Sequence, residues 1–115
     1  MKRGELWIIN LEPGFGREIH KKRPALILSE DSINQKTTNV IIIPASSIVP
    51  QTIGVEMIRI GEKEGLRQDS VLLPIFIRSV DHDRLIKKIG ELSKKKLHQV
   101  EEAIRLVLGL EEALL

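Results

Sequence analysis

Apolar and polar positions change period along this chain, and the changes mark out its elements. Residues 5–11 (ELWIINL) hold Leu, Trp and Ile in a run of strand length, which predicts a strand. Residues 12–22 follow as a long polar loop broken by Pro13, Gly14 and Gly16. Residues 23–29 (RPALILS) predict a second strand, and Pro24 suits a strand start or an edge. Residues 30–38 are polar and predict a turn or one helical turn. Residues 39–46 (NVIIIPAS) are apolar enough to be buried on both faces of a sheet. A fourth strand is expected over 54–60 (GVEMIRI), then a charged turn over 61–69. Residues 70–80 (SVLLPIFIRSV) read as one bent strand or two, interrupted at Pro74, and 85–92 (LIKKIGEL) as a last strand.

Beyond Ser93 the period becomes helical. Ser93 is a suitable N-cap, and Leu97, Val100, Ile104 and Val107 recur at helical spacing among Lys and Glu. Gly109 marks the end. Leu108, Leu110, Leu114 and Leu115 add apolar surface beyond that stripe, a surplus that points to a partner chain. Several short strands followed by one long helix predict a mainly β (α+β) fold: a small, strongly curved antiparallel sheet or barrel with a C-terminal α-helix packed on it.

Composition narrows the class. The 115 residues are expected to form a single domain, and 42% apolar content supplies one core. With no cysteine, disulfides and thiolate metal sites are excluded. The apolar runs fall short of the ~18 residues that span a bilayer, and no secretory signal pattern is visible. The expected location is the cytoplasm, with no membrane partner. The net charge is only +2, but residues 17–23 carry four Lys/Arg against one Glu. That loop, Arg17 to Arg23, is either a solvated basic segment or a surface for an anionic partner.

Glu18 and Arg23 are the candidate chemistry. A lone acid five residues from an Arg at a strand start supplies a base and an anion stabiliser, which suits work on a phosphate; the alternative is a surface ion pair. Ser46 and Ser47 join them if the third strand lies beside the second; otherwise they serve the turn. Other patterns are discounted. Gly14-Phe15-Gly16 follows a strand, but no third glycine opens a helix, so dinucleotide binding is rejected. Asp81-His82-Asp83 reads as a solvated turn and His98 lacks a neighbouring ligand, so no metal or other cofactor is expected. Ser93-x-x-Lys96 lacks the companion motifs of serine–lysine hydrolases. Lys94, Lys95 and Lys96 oppose the helix dipole and read as a solvated or binding face. Trp7 reads as core.

A resemblance emerges from short motifs taken in order. Arg3-Gly4-Glu5-Leu6-Trp7, Leu11-Glu12-Pro13, Gly16-x-Glu18, Arg23-Pro24-Ala25-Leu26-Ile27-Leu28-Ser29, Asp69-Ser70-Val71, Ile77-Arg78-Ser79-Val80-Asp81 and Arg84-Leu85 resemble the MazF/PemK toxins of bacterial toxin–antitoxin pairs. The Ser-capped tail with Val100, Glu101, Ala103 and Leu106 also fits, so the likeness covers nearly the whole chain. It implies an SH3-like barrel with a C-terminal helix, a homodimer, and a ribonuclease that cuts single-stranded RNA without metal. It also implies a cognate antitoxin whose acidic, disordered tail fills the RNA groove. The family's loop glutamate matches Glu18, its arginine before the second-strand proline matches Arg23, and its threonine at the end of the third strand matches Ser46.

On that resemblance Glu18 is the expected base for the 2′-OH, Arg23 the phosphate clamp and Ser46 a phosphate-orienting hydroxyl. His20 is a rival base, since an imidazole titrates near neutrality. Arg17, His20, Lys21, Lys22 and Ser47 are expected to contact RNA. Relatives often carry a Glu-Gln pair where this chain has Ile75-Phe76. Phe76 then either stacks a base and changes specificity or joins the core and cripples the site. Two other readings stay open on sequence alone. One is a non-enzymatic toxin gripping a protein, as gyrase-poisoning CcdB proteins do; the other is an RNA-binding barrel without catalysis.

Overall fold

A computed structural model describes residues 1–110. The strands are β1 (Glu5–Asn10), β2 (Lys22–Ile27), β3 (Asn39–Ser46), β4 (Ile58–Ile60), β5 (Ser70–Leu72), β6 (Arg78–Asp81) and β7 (Leu85–Glu91), with helices α1 (Asp31–Lys36) and α2 (Lys94–Leu108). All pairings are antiparallel, in the order β4-β5-β3-β2-β1-β7, and β6 adds to β3. Long β3 makes this possible. Its first half pairs β6 and its last residues pair β5, so the sheet curls around it. The result is the expected curved antiparallel sheet with a C-terminal helix.

Each face of the sheet has its own core. Leu6, Leu26, Ile43, Ile60 and Leu72 pack with Val100 and Ala103 of α2 on one face. Ile9, Leu11, Ala25, Ile27, Val40, Ile42 and Val80 pack on the other, with Trp7, Ile19 and Leu85 partly buried against them. Strand alternation explains the division, because neighbours such as Leu26 and Ile27 point to opposite sides. β3 contributes to both clusters, as its continuous apolar run requires.

Helix α2 follows the sequence closely. Ser93 Oγ accepts the Lys96 N–H at 3.2 Å, and Gly109 closes the helix with φ of 66°. Arg3 ties it to the sheet by bonding both the Leu28 carbonyl and Glu101. Lys96 is no free cation. Its Nζ meets buried Glu64 at 3.1 Å and the Arg59 carbonyl at 2.9 Å, so it anchors the helix start. Exposed Leu108 and Leu110 belong to the expected surplus at the helix end, and Leu106, not expected there, is exposed beside them; Leu114 and Leu115 lie outside the described residues.

One strand expectation needs correction, and one alternative left open by the sequence is decided. Only Ile58–Ile60 of 54–60 is strand, because the Met57 N–H turns back to the Gly54 carbonyl at 3.2 Å. Segment 70–80 divides into β5 and β6 around a single turn, Pro74–Phe76, since Pro74 offers no N–H to a ladder. In the 81–83 turn Asp81 accepts the Asp83 N–H at 2.8 Å, but His82 is half-buried rather than solvated. Gly65 and Gly90 meet where the 61–66 segment crosses β7; a side chain at Gly65 would run into the Ile89 carbonyl and one at Gly90 into the Glu64 carbonyl.

β1 carries a pH-sensitive contact. Burial would raise the Glu5 carboxyl, but the Lys2 N–H at 2.8 Å, the Trp7 indole at 3.0 Å and Lys88 at 3.2 Å outweigh it and lower it from 4.5 to about 2. A carboxyl depressed by folding contributes stability that is complete above its unfolded value and is lost as pH falls through its folded one. Stability should therefore decline from about pH 5 towards pH 2. The full linkage is about 3 kcal/mol; solvent screening at half-exposed Lys88 reduces this to roughly 1–2 kcal/mol. Urea unfolding at stepped pH should show this slope in the unsubstituted protein and a flatter one in Glu5→Gln.

Candidate active site

Register and alternation place the candidate chemistry. Arg23 lies opposite Ile9, and alternation sets it on the face of β2 that carries Ala25 and Ile27. On β3, Ser46 shares a face with Pro44 and Ile42. The β2–β3 pairing runs Ile27↔Ile42, Leu26↔Ile43, Ala25↔Pro44, so Arg23 and Ser46 each stand two residues beyond its last pair, on the side that Ala25 and Pro44 share. Arg78 pairs with Ile42 and lies on this face too. Ile19 packs partly buried against the same cluster, which brings the middle of the 12–21 loop over it.

Two concavities lie along segment 18–23. A small one of about 200 Å3 is lined by Glu18, Ile19, Ile75, Phe76, Ile77 and Arg78. A larger cleft of about 520 Å3 has Lys22, Arg23, Ser47, Arg67, Gln68 and Lys87 at its polar walls, over a floor that includes Ile8, Pro24 and Ile89. Segment 18–23 thus contributes to both. The cleft is cationic, with four Lys or Arg side chains and no Asp or Glu among its lining residues. That asymmetry attracts phosphates.

The loop has internal structure. Leu11 N–H donates to the Lys21 carbonyl at 3.0 Å and closes its base. Arg84 Nη1 bonds the Asn10 and Glu12 carbonyls at 3.0 and 2.7 Å. His20 Nδ1 lies 2.8 Å from Glu12 Oε1, and Arg23 Nε donates to the His20 carbonyl at 2.6 Å. Chiefly through the His20 hydrogen bond, the Glu12 carboxyl is held below the ordinary carboxylate value. Lys21 has φ of 76°, in the left-handed region that non-glycine residues avoid.

The sequence-derived residues divide as follows. Arg23, Ser46 and the Glu18 segment come to one face. None of the ion pairs among the described residues involves Glu18 or Arg23, so the surface-pair alternative is not realised. Ser46 is buried and its Oγ accepts the Ile48 N–H at 3.1 Å, so it serves the turn as well; its hydroxyl proton remains to donate. Ser47 and Lys22 line the large cleft. Arg17 and Lys21 are exposed on the loop, while His20 is partly exposed and turned to Glu12. Phe76 is partly exposed and belongs to neither core cluster, which removes the core alternative. Sequence reasoning passed over Arg67, Gln68, Arg78 and Lys87. The 61–69 segment reads as an ordinary charged turn, and Arg78 and Lys87 as outward positions of strands; only the register shows that Arg78 faces the concavity beside Glu18 and Lys87 the larger cleft.

With this geometry in place, the chain can be set beside known proteins. Residues 2–108 match the family of PemK-like, MazF-like toxins of type II toxin–antitoxin systems. The chain belongs to that family. It is 31% identical to endoribonuclease MazF9 of Mycobacterium tuberculosis, covering 96% of this chain and 98% of that protein. It is 33% identical to endoribonuclease MazF of Staphylococcus saprophyticus, covering 96% and 92%. Among solved structures, MazE–MazF of Deinococcus radiodurans (Form-II) superposes with a TM-score of 0.78 at 25% identity, covering 96% of this chain and 97% of that one.

Proposed function

We propose that this chain is a metal-independent endoribonuclease toxin that cuts single-stranded RNA in the cytoplasm. One observation carries the reading: Arg23, which shares a sheet face with Ser46 and the packed Glu18 loop, also lines a cationic cleft, and among the described residues neither Glu18 nor Arg23 is neutralised by an ion pair. RNA brings its own nucleophile, so a protein has only to take a proton, hold the phosphate in line and offset charge. Glu18 accepts the 2′-OH proton as the 2′ oxygen bonds phosphorus. Arg23 stabilises the charge on the phosphoryl oxygens, and Ser46 orients one of them. The bond from phosphorus to the 5′ oxygen breaks, and that oxygen takes a proton from Arg23 or water. The products are a 2′,3′-cyclic phosphate and a 5′-OH.

Arg17, Lys21, Lys22 and Ser47, with Arg67 and Lys87, track the RNA backbone. Phe76 and Ile19 offer apolar surface for one unstacked base, with Glu18 and Arg78 at its edge. An aromatic face stacks on any base, so cleavage specificity differs from relatives that place an amide there. A solved structure named as an endoribonuclease in complex with its cognate antitoxin supports a cognate antitoxin here, and the cationic cleft suits an acidic, disordered antitoxin tail that competes with RNA. The exposed leucines ending α2 support a homodimer.

The purified protein should cut mixed-sequence RNA in EDTA and leave cyclic-phosphate and 5′-OH ends, with the same oligodeoxynucleotide bound and uncut. Cleavage that needs added magnesium, or ends of the opposite polarity, would reject this chemistry.

A further inference from the structure

Among the residues near the proposed site, Glu12 and His20 have no part in the chemistry just described, yet the loop is built around them. We propose that they form a positioning pair: their hydrogen bond fixes the loop so that the His20 carbonyl holds Arg23 Nε, which leaves the two outer guanidinium nitrogens for the phosphate. The proposal rests on the reading of Arg23 as phosphate clamp.

Four independent features converge on it. The Glu12–His20 contact, 2.8 Å, spans the loop from its first residue to its ninth. Gly14 makes room for the ring: a Cβ there would lie 2.5 Å from His20 Cβ and 2.7 Å from His20 Cγ, so no other residue permits this seat. Lys21 takes φ of 76°, which reverses the chain just after His20. Strain of this kind persists where surrounding contacts enforce it, and the Lys21 carbonyl is held by the Leu11 N–H. Finally, Arg84, in the turn just before β7, grips the Glu12 backbone carbonyl, so the residue that carries the carboxylate is held from outside the loop. The chain of contacts then runs from Arg84 through Glu12 and His20 to Arg23 Nε, at 2.6 Å from the His20 carbonyl. A guanidinium held at Nε keeps its planar fork aimed outward, the geometry that a phosphate accepts.

The arrangement also gives His20 a role other than base. Its Nδ1 is committed to a carboxylate, and its backbone oxygen does the positioning. The two ideas separate on a substrate that has no proton to give. A mixed-sequence oligoribonucleotide with 2′-fluoro sugars lacks the nucleophile, so its affinity reports positioning alone. Glu12→Ala and His20→Ala should each weaken its Kd about tenfold. His20→Asn, whose amide nitrogen takes the place of Nδ1, should restore most of that loss. In an Arg23→Ala background the same substitutions should cost almost nothing further, since the group they aim is gone. Both side chains are partly exposed, so melting temperatures should stay within about 2 °C of the unsubstituted protein.

Unchanged Kd in both alanine variants overturns the proposal. So does a His20→Asn variant as weak as His20→Ala, or losses that add in full to that of Arg23→Ala. If Arg23→Ala itself leaves affinity and cleavage untouched, the clamp reading fails, and the positioning pair falls with it.

Discussion

Arg23→Ala is expected to lower kcat/KM for single-stranded RNA about a thousandfold while leaving the fold intact. The guanidinium sits at the mouth of β2, partly exposed, and its one hydrogen bond among the described residues is to the His20 carbonyl. Removing it therefore costs little packing, and urea unfolding should shift by less than about 1 kcal/mol. Its loss falls on the reaction instead. In the transition state the phosphoryl oxygens carry more charge than in bound RNA, and a fixed fork beside a partly desolvated cleft stabilises that increment. The effect should appear mainly in kcat, with a smaller rise in KM, because Lys22, Arg67 and Lys87 still hold the backbone. Arg23→Lys should recover only part of the rate. An ammonium restores the charge but neither the bidentate geometry nor the Nε donor that His20 receives. A variant that binds RNA normally and cuts it at the original rate would remove Arg23 from the mechanism.

The fold and the site were legible in the sequence to different depths, for physical reasons. Helix α2 was plain because its stripe, its Ser93 cap and its Gly109 stop are all local signals. β1, β2, β3 and β7 were legible within a residue or two from apolar runs between breakers. The 54–57 stretch was misread because Val55 and Met57 imitate alternation, whereas the Gly54 carbonyl captures the Met57 N–H and leaves Val55 exposed. Glu18 and Arg23 stood out because one loop carries both. Arg78 and Lys87 did not, because a single cation on a strand has no meaning until the register of β3 with β6, and of β1 with β7, says what it faces. Lys96 was misassigned for a related reason. Its partner, Glu64, is over thirty residues away and buried, so the pairing is a tertiary fact that helix-dipole reasoning cannot contain. The Glu12–His20 pair was equally hidden, since eight residues of loop have no period from which a contact can be read.

Glu18→Gln should be as damaging as the loss of Arg23, but for a different reason, and the difference is measurable. An amide keeps the size and polarity of the carboxylate and cannot accept the 2′-OH proton, so kcat should fall by roughly a hundredfold to ten-thousandfold. Glu18 is exposed and lies beside Phe76 and Arg78, which raises a second role: its oxygens can accept from the exocyclic amine of a base stacked there. The two roles predict opposite patterns. Loss of a base contact weakens binding of uncleavable RNA and raises KM; loss of a general base leaves both nearly unchanged and lowers kcat. A substrate whose 5′-leaving oxygen is replaced by sulfur sharpens the distinction, because thiolate departs without a proton. The first half of the reaction, deprotonation of the 2′-OH, is unaltered by that replacement, so Glu18→Gln should remain slow on it. Any part of the Arg23→Ala defect that comes from proton delivery should be rescued, and the electrostatic remainder should persist. If the sulfur substrate rescues Glu18→Gln instead, the carboxyl acts on the leaving group and the proton acceptor must be another residue of the loop.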